Sequence, residues 1–329
     1  MREANMNTTD IVIRDPFILA DGGRYYLYGT RSETAWGHGD GFDVYESSDL
    51  EDWTGPKEIF HRPDDFWADK EFWAPECIRK GDRYYLIATF GTEGKPKGIQ
   101  ILESGRPDGP FKPLTPDPVT PKDWNCLDGT VYTNDLDESW LVFSHSFPQE
   151  PGGAIMAARL LDDMTGLASQ PQTLFHAEDA PWTRPIPFAK EEFGLDGDNY
   201  FSDGPYLFYN DSRQLCMLWS SWSERGYAMG ISVSESGIAG PWHHAPKAAY
   251  YGGGHGMVFR KETGEEYVVW HAPNEALKEH PRFMMMNEFA DGVLEYITVE
   301  APYGALCKDP DSPEDSDRAL SELPSETVL

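Results

Sequence analysis

Apolar and polar positions alternate in short runs along this chain, and Gly, Asp or Asn turns punctuate them. The period is two, which predicts strands. One pattern recurs: a turn followed by an aromatic or apolar run. It reads GGRYYLYGT (22–30), GDRYYLIAT (81–89), DESWLVFSH (137–145), RQLCMLWSS (213–221) and GEEYVVWHA (264–272). Each copy follows a second strand-like run by a few residues: RDPFILA (14–20), WAPECIRK (73–80), LDGTVYTN (127–134), SDGPYLFYN (202–210) and GGHGMVFRK (253–261). Each pair predicts a hairpin. A third element, SSDLEDW (47–53), ESGRPDGPF (103–111), LLDDMTG (160–166) and SESGIAGPW (234–242), reads as the turn into an outer strand.

Five copies in one order, spaced by about 50 to 76 residues, predict an all-β five-bladed β-propeller rather than a sandwich. The expected domain covers residues 1–307. The segment 105–121, rich in proline, reads as a connection between blades. The segment 171–200 reads as an insertion. The acidic stretch 308–329 has few large apolar residues and is expected to be disordered.

Composition narrows the function. The formal net charge is −29, with 27 Lys+Arg against 56 Asp+Glu. That balance disfavours a nucleic-acid phosphate backbone and an anionic membrane surface as partners. The 31 Gly and 26 Pro argue against long helices. No run approaches the length of a membrane-spanning helix. The four cysteines (Cys77, Cys126, Cys216 and Cys307) are widely spaced and are expected to be reduced thiols. The start MREANMNTTD has no apolar leader core, so a cytoplasmic protein is expected.

The innermost strand of a propeller blade lines the central axis. Stacking the first strands of the five repeats puts Asp15, Asp128, Asp203 and His255 in one shared slot, with Ala74 in the second repeat. Three carboxylates and an imidazole are therefore expected to converge in one funnel. Clustered like charges push proton affinities apart, which acid/base hydrolysis of a glycosidic bond requires.

At these residues the sequence resembles glycoside hydrolase family 43. The motifs are RDPFIL (14–19), WAPE (73–76), LDG (127–129), DGPYL (203–207) and GGHGM (253–257), and the resemblance reaches to about residue 300. It implies an inverting glycosidase acting on arabinofuranosides, xylosides or related galactosides. Asp15 would be the general base, Asp203 the general acid and Asp128 the carboxylate that tunes the acid. The family usually has Glu where this chain has Asp203. His255 would lie beneath the sugar and help hold a central Ca²⁺, and Arg282 would touch the sugar.

Trp73, Phe42 and Trp222 are expected sugar-stacking residues, with Trp36, Trp124 and Trp182 as further candidates. Glu76 is expected in the site, and His145 and Gln149 at its edge. The expected partner is a small neutral oligosaccharide, attacked from a chain end; the sequence leaves the oligomeric state open. The alternative is a propeller that binds sugars without cutting them, suggested by the short Asp203. A family 32 invertase-like reading is disfavoured, because no NDPNG-like motif occurs.

Overall fold

In the computed structural model, which describes residues 6–289, the five expected hairpins form the inner halves of five sheets arranged around one axis. Blade 1 comprises β1 (Ile13–Asp21), β2 (Arg24–Arg31), β3 (Gly41–Ser47) and β4 (Trp53–His61). Blade 2 comprises β5 (Lys70–Lys80), β6 (Arg83–Gly91), β7 (Gly98–Ser104) and β8 (Lys112–Pro113). Blade 3 comprises β9 (Cys126–Thr133), β10 (Ser139–His145), β11 (Ala154–Arg159) and β12 (Gln172–His176). Blade 4 comprises β13 (Asp203–Tyr209), β14 (Leu215–Ser223), β15 (Gly226–Ser234), β16 (Trp242–His244) and the short β17 (Tyr250–Tyr251). Blade 5 has three strands among the described residues: β18 (Gly254–Arg260), β19 (Glu266–Ala272) and β20 (His280–Met285).

Apart from β17, which pairs with β15, neighbouring strands pair antiparallel in chain order, so each blade is a meander running outward from the axis. The inner strands β1, β5, β9, β13 and β18 pack side by side in a ring, and β1 meets β18 to close it. The segment before β1 strengthens that closure. Met6 exchanges backbone hydrogen bonds with Trp53 of β4, and the Ile13 amide donates to the Glu279 carbonyl beside β20.

The core lies between the blades, because each sheet must bury both of its faces. One apolar cluster joins blades 5, 1 and 2 through residues such as Leu27, Phe42, Leu86 and Phe283. Three more lie between blades 2 and 3, blades 3 and 4, and blades 4 and 5. Cys77, Cys126 and Cys216 are buried free thiols within these layers. Cys307 and the stretch 308–329, with the expected boundary at 307, lie outside the described residues.

The expected insertion carries the outer strand β12 and then a short helix α1 (Ala189–Phe193), closed by Gly194 in the left-handed conformation. A second short helix, α2 (Met286–Phe289), ends the described chain. Among the described residues no helix is long and apolar enough to cross a membrane.

Candidate active site

Each inner strand carries a residue with a left-handed backbone at the equivalent position, and β5 has a second at Glu71. The equivalent residues are Asp15 (φ 53°), Ala74 (φ 47°), Asp128 (φ 55°), Gly204 (φ 49°) and His255 (φ 53°). The strand pairing slips at or beside each of these positions, as a bulge would make it. Such a backbone is costly for residues other than glycine and persists only where surrounding contacts enforce it.

The repeated bulge corrects one sequence expectation. The shared slot in blade 4 is Gly204, and Asp203 stands one residue before it. Glycine is required there, because a Cβ at 204 would lie 2.7 Å from the His255 ring.

The enforcing contacts form a series between blades. Thr30 on β2 accepts the Ala74 amide at 2.7 Å. Thr89 on β6 accepts the Asp128 amide at 2.8 Å. Ser220 on β14 accepts the His255 amide at 2.8 Å. His271 on β19 accepts the Asp15 amide through Nδ1 at 3.2 Å. In each case the second strand of one blade fixes the slot residue of the next.

Ser144 is the equivalent residue of β10, but its buried hydroxyl has no partner. The Gly204 amide, which it would hold, faces the carboxylate of Asp128 instead and favours its charge. One backbone dipole of blade 4 is thereby turned onto a carboxylate of blade 3.

The side chains converge as expected. His255 Nδ1 lies 2.9 Å from Asp203 Oδ1 and 3.2 Å from Asp15 Oδ1. Thr30 donates to Asp15 Oδ2 at 2.6 Å, and Tyr227 donates to Asp203 Oδ2 at 2.9 Å. One coordinating atom each of Asp128, Asp203 and His255 falls within 4.8 Å of the others.

Burial opposes ionisation of Asp15, but the His255 ring and then the Arg14 guanidinium outweigh it. The carboxyl is held well below the usual carboxylate range. Burial also opposes a charge on His255, yet Asp15 and Asp203 hold its pKa well above the ordinary value. Burial, then the nearby Asp203, pushes Asp128 up to about 8. Burial chiefly drives His271 down to about 3, which keeps it neutral and able to accept the Asp15 amide. The cluster therefore holds an ionised carboxylate on blade 1 and a carboxyl that keeps its proton on blade 3.

These residues floor a cavity of about 820 Å³. Trp73 lines it, with its indole N–H donated to the Ala35 carbonyl at 2.6 Å. Trp36 packs edge-on against Trp73 at 5.5 Å. Trp222, Asp15, Asp128, Asp203 and His255 line it too.

Other expectations are corrected. Phe42 is fully buried between Phe60, Phe72 and Phe90, on the face of β3 turned to the inter-blade core. Arg282 lies on β20, opposite Trp270, and donates to the Ala272 carbonyl; it does not line the cavity. Glu76 is buried beneath the site rather than in its wall. One of its oxygens has no partner, and burial lifts its pKa to about 8. Trp124 stacks on His145 at 4.4 Å, and Trp182 is buried against Trp219. Gln149 accepts the Asn125 amide and lies 3.3 Å from His145.

The arginine at the cavity is Arg14. It is anchored by Glu279 at 2.8 Å and Asn274 at 3.0 Å, and lies over the Trp36 ring at 5.3 Å. Sequence reading missed Arg14 and Tyr227, although Arg14 directly precedes Asp15. It also missed Phe188 and Phe193 of the insertion, which line the cavity.

The expected Ca²⁺ can be tested against the donors. Calcium takes about six to eight oxygen ligands. Asp128, Asp203 and His255 offer two carboxylates and a nitrogen, and His255 Nδ1 is already shared between two carboxylates. With one ligand atom each they supply three of those donors, and water would have to complete the shell.

Axial carboxylates at the floor of a sugar-sized cavity define a carbohydrate-active propeller. This chain belongs to glycosyl hydrolases family 43, whose family model matches residues 9–293. It is 26% identical over 200 residues to xylosidase/arabinosidase 43A of Humicola insolens, covering 49% of this chain and 60% of that protein. It is 26% identical over 259 residues to an extracellular endo-alpha-(1->5)-L-arabinanase of Thermotoga petrophila, covering 68% of this chain and 48% of that protein. The chain thus spans about half to three-fifths of the length of these curated relatives. The crystal structure of an endo-arabinase from Bacteroides thetaiotaomicron VPI-5482 superposes with a TM-score of 0.78 at 35% identity, over 85% of this chain and 96% of that one.

Proposed function

We propose that this protein hydrolyses arabinofuranosyl linkages in small arabino-oligosaccharides by single displacement with inversion. The observation that carries the reading is the convergence of Asp15, Asp128, Asp203 and His255 from four blades on the floor of one cavity. The likeness to an endo-arabinase and to an arabinanase supports the choice of sugar.

Asp15, held ionised by His255 and Arg14, takes a proton from a water at the anomeric carbon. Asp128 keeps a proton near neutral pH, because burial and the nearby Asp203 oppose its ionisation. Asp203 passes that proton from Asp128 to the leaving oxygen.

An inverting pair stands about 6.5–9.5 Å apart to admit the water. Asp15 and Asp203 share one His255 nitrogen, so their nearest oxygens are closer than that. The mechanism therefore asks Asp203 to swing from His255 toward the substrate.

Attack from a chain end belongs to the proposal because in a small oligosaccharide every bond lies near an end. Attack within chains rests on the endo-arabinase likeness. Wild type and Asp15→Asn are assayed on α-1,5-linked arabino-oligosaccharides, and the anomer first formed is read by NMR. Release of single sugars as the β-anomer supports the full reading. Mixed early oligomers would replace the chain-end part, and no turnover on these oligosaccharides would sink the proposed activity.

A further inference from the structure

Four aromatic side chains line the cavity on the side of blades 3 and 4: Phe147, Phe188, Phe193 and Trp222. They form a continuous strip. Phe147 and Phe193 lie 5.1 Å apart between ring centroids, Phe193 and Phe188 6.2 Å, and Phe188 and Trp222 5.1 Å. Three separate parts of the chain supply them. Phe147 follows β10, Phe188 and Phe193 bracket α1 in the insertion, and Trp222 stands on β14.

Phe193 is 50% exposed, and few other large apolar side chains are exposed among the described residues. An exposed ring joined to others along a cavity wall marks a binding surface. Sugar rings suit it, because the apolar C–H faces of a pyranose or furanose stack on an aromatic face while their hydroxyls stay in water.

The side on which the strip lies decides what it holds. In inverting hydrolysis the water and the leaving group stand on opposite faces of the reacting sugar. The water belongs to Asp15 on blade 1, and the proton donor Asp203 is on blade 4. The leaving oxygen, and the sugars attached to it, therefore point toward blades 3 and 4. We propose that Phe147, Phe188, Phe193 and Trp222 form a platform for the sugar units of the leaving group, half of it supplied by the insertion. The platform makes chain length beyond the cleaved bond a determinant of specificity. This assignment of sides rests on the hydrolase reading above, whereas the platform itself rests on the geometry alone.

The test has a kinetic arm and a binding arm. In the first, kcat/KM is measured on arabino-disaccharide and arabino-tetrasaccharide for wild type, Phe193→Ala and Phe188→Ala. The expected result is a fall of about tenfold in the tetrasaccharide-to-disaccharide ratio in each variant, the size that one lost ring contact carries. In the second, the tetrasaccharide is titrated calorimetrically into Asp15→Asn with and without Phe193→Ala. Weaker binding by about the same factor is expected.

A ratio that stays constant while both substrates lose alike would show a merely structural role and overturn the proposal. Unchanged tetrasaccharide binding would do the same. If the wild type turns over nothing, the hydrolase reading fails, and the binding arm still decides whether the strip holds sugars.

Discussion

His255 Nδ1 lies 2.9 Å from Asp203 Oδ1, so the proposed proton donor is docked on an imidazole rather than extended into the cavity. Delivery of its proton requires that contact to break. A longer side chain would bring the carboxyl further into the cavity. We expect Asp203→Glu to retain or raise kcat on arabino-oligosaccharides, and Asp203→Asn to lower it by about 10²–10⁴-fold, the usual contribution of a general acid. If Asp203→Asn keeps wild-type turnover, Asp203 is not the donor.

Asp15 is the carboxylate that this site holds most firmly ionised. Asp15→Asn is expected to reduce kcat by about 10²–10⁴-fold with little change in oligosaccharide affinity. Steady-state kinetics and calorimetry on the same preparation separate the two effects. A variant that loses binding as much as turnover would make Asp15 a ligand for the sugar rather than the base.

The proton on Asp128 sets the alkaline side of the pH profile. Asp128 keeps its proton up to about pH 8. Turnover is therefore expected to fall above about that pH. Asp128→Asn removes that proton from the site, and this alkaline limb is expected to disappear with it. A limb that stays in place in the variant would mean that Asp128 does not supply the proton.

Glu76 gives a pH effect on stability rather than on turnover. Its folded-state pKa of about 8 lies above its ordinary value. Between the two, the folded chain binds the extra proton, so stability falls as pH rises through that window and levels off above it. Glu76→Gln removes this slope. The variant should match wild type near pH 4 and exceed it by about 1–3 kcal/mol near pH 9 in urea unfolding. Equal midpoints at both pH values would mean that Glu76 ionises without cost.

The hydroxyls between blades make opposite predictions for two similar substitutions. Thr89→Val orphans the buried Asp128 amide and should cost about 1–3 kcal/mol. Ser144→Ala removes a buried hydroxyl that bonds to nothing and should be close to neutral or stabilising. Thermal denaturation of both variants compares them directly, and a Ser144→Ala loss as large as that of Thr89→Val would show that Ser144 has a partner after all.

Much of this architecture was readable because hairpins announce themselves. Alternation and turn residues located all five inner pairs, and the repeat order named the blade number. The convergence of Asp15, Asp128 and His255 followed from placing equivalent residues around an axis. Asp203 lines the cavity but stands one residue before the slot it was assigned, because bulge geometry and the crowding of His255 over Gly204 have no signature in alternation.

Phe42 and Arg282 were misread for a related reason. A period of two says that a strand has two faces but not which face meets the cavity. Phe188 and Phe193 escaped notice because an insertion belongs to no repeat, and so had no equivalent residues to be compared with.

The amides of Ala74, Asp128, His255 and Asp15 are each held by the preceding blade. No blade therefore carries a finished slot of its own. Moving the chain termini to the gap between two other blades would preserve every such pairing, since it changes connectivity and not neighbourhood. Adding or removing one blade would set a donor opposite a stranger's acceptor. The site thus belongs to the cyclic order of the repeats, and any history of duplication that built this ring had to keep that order for chemistry at its centre to persist.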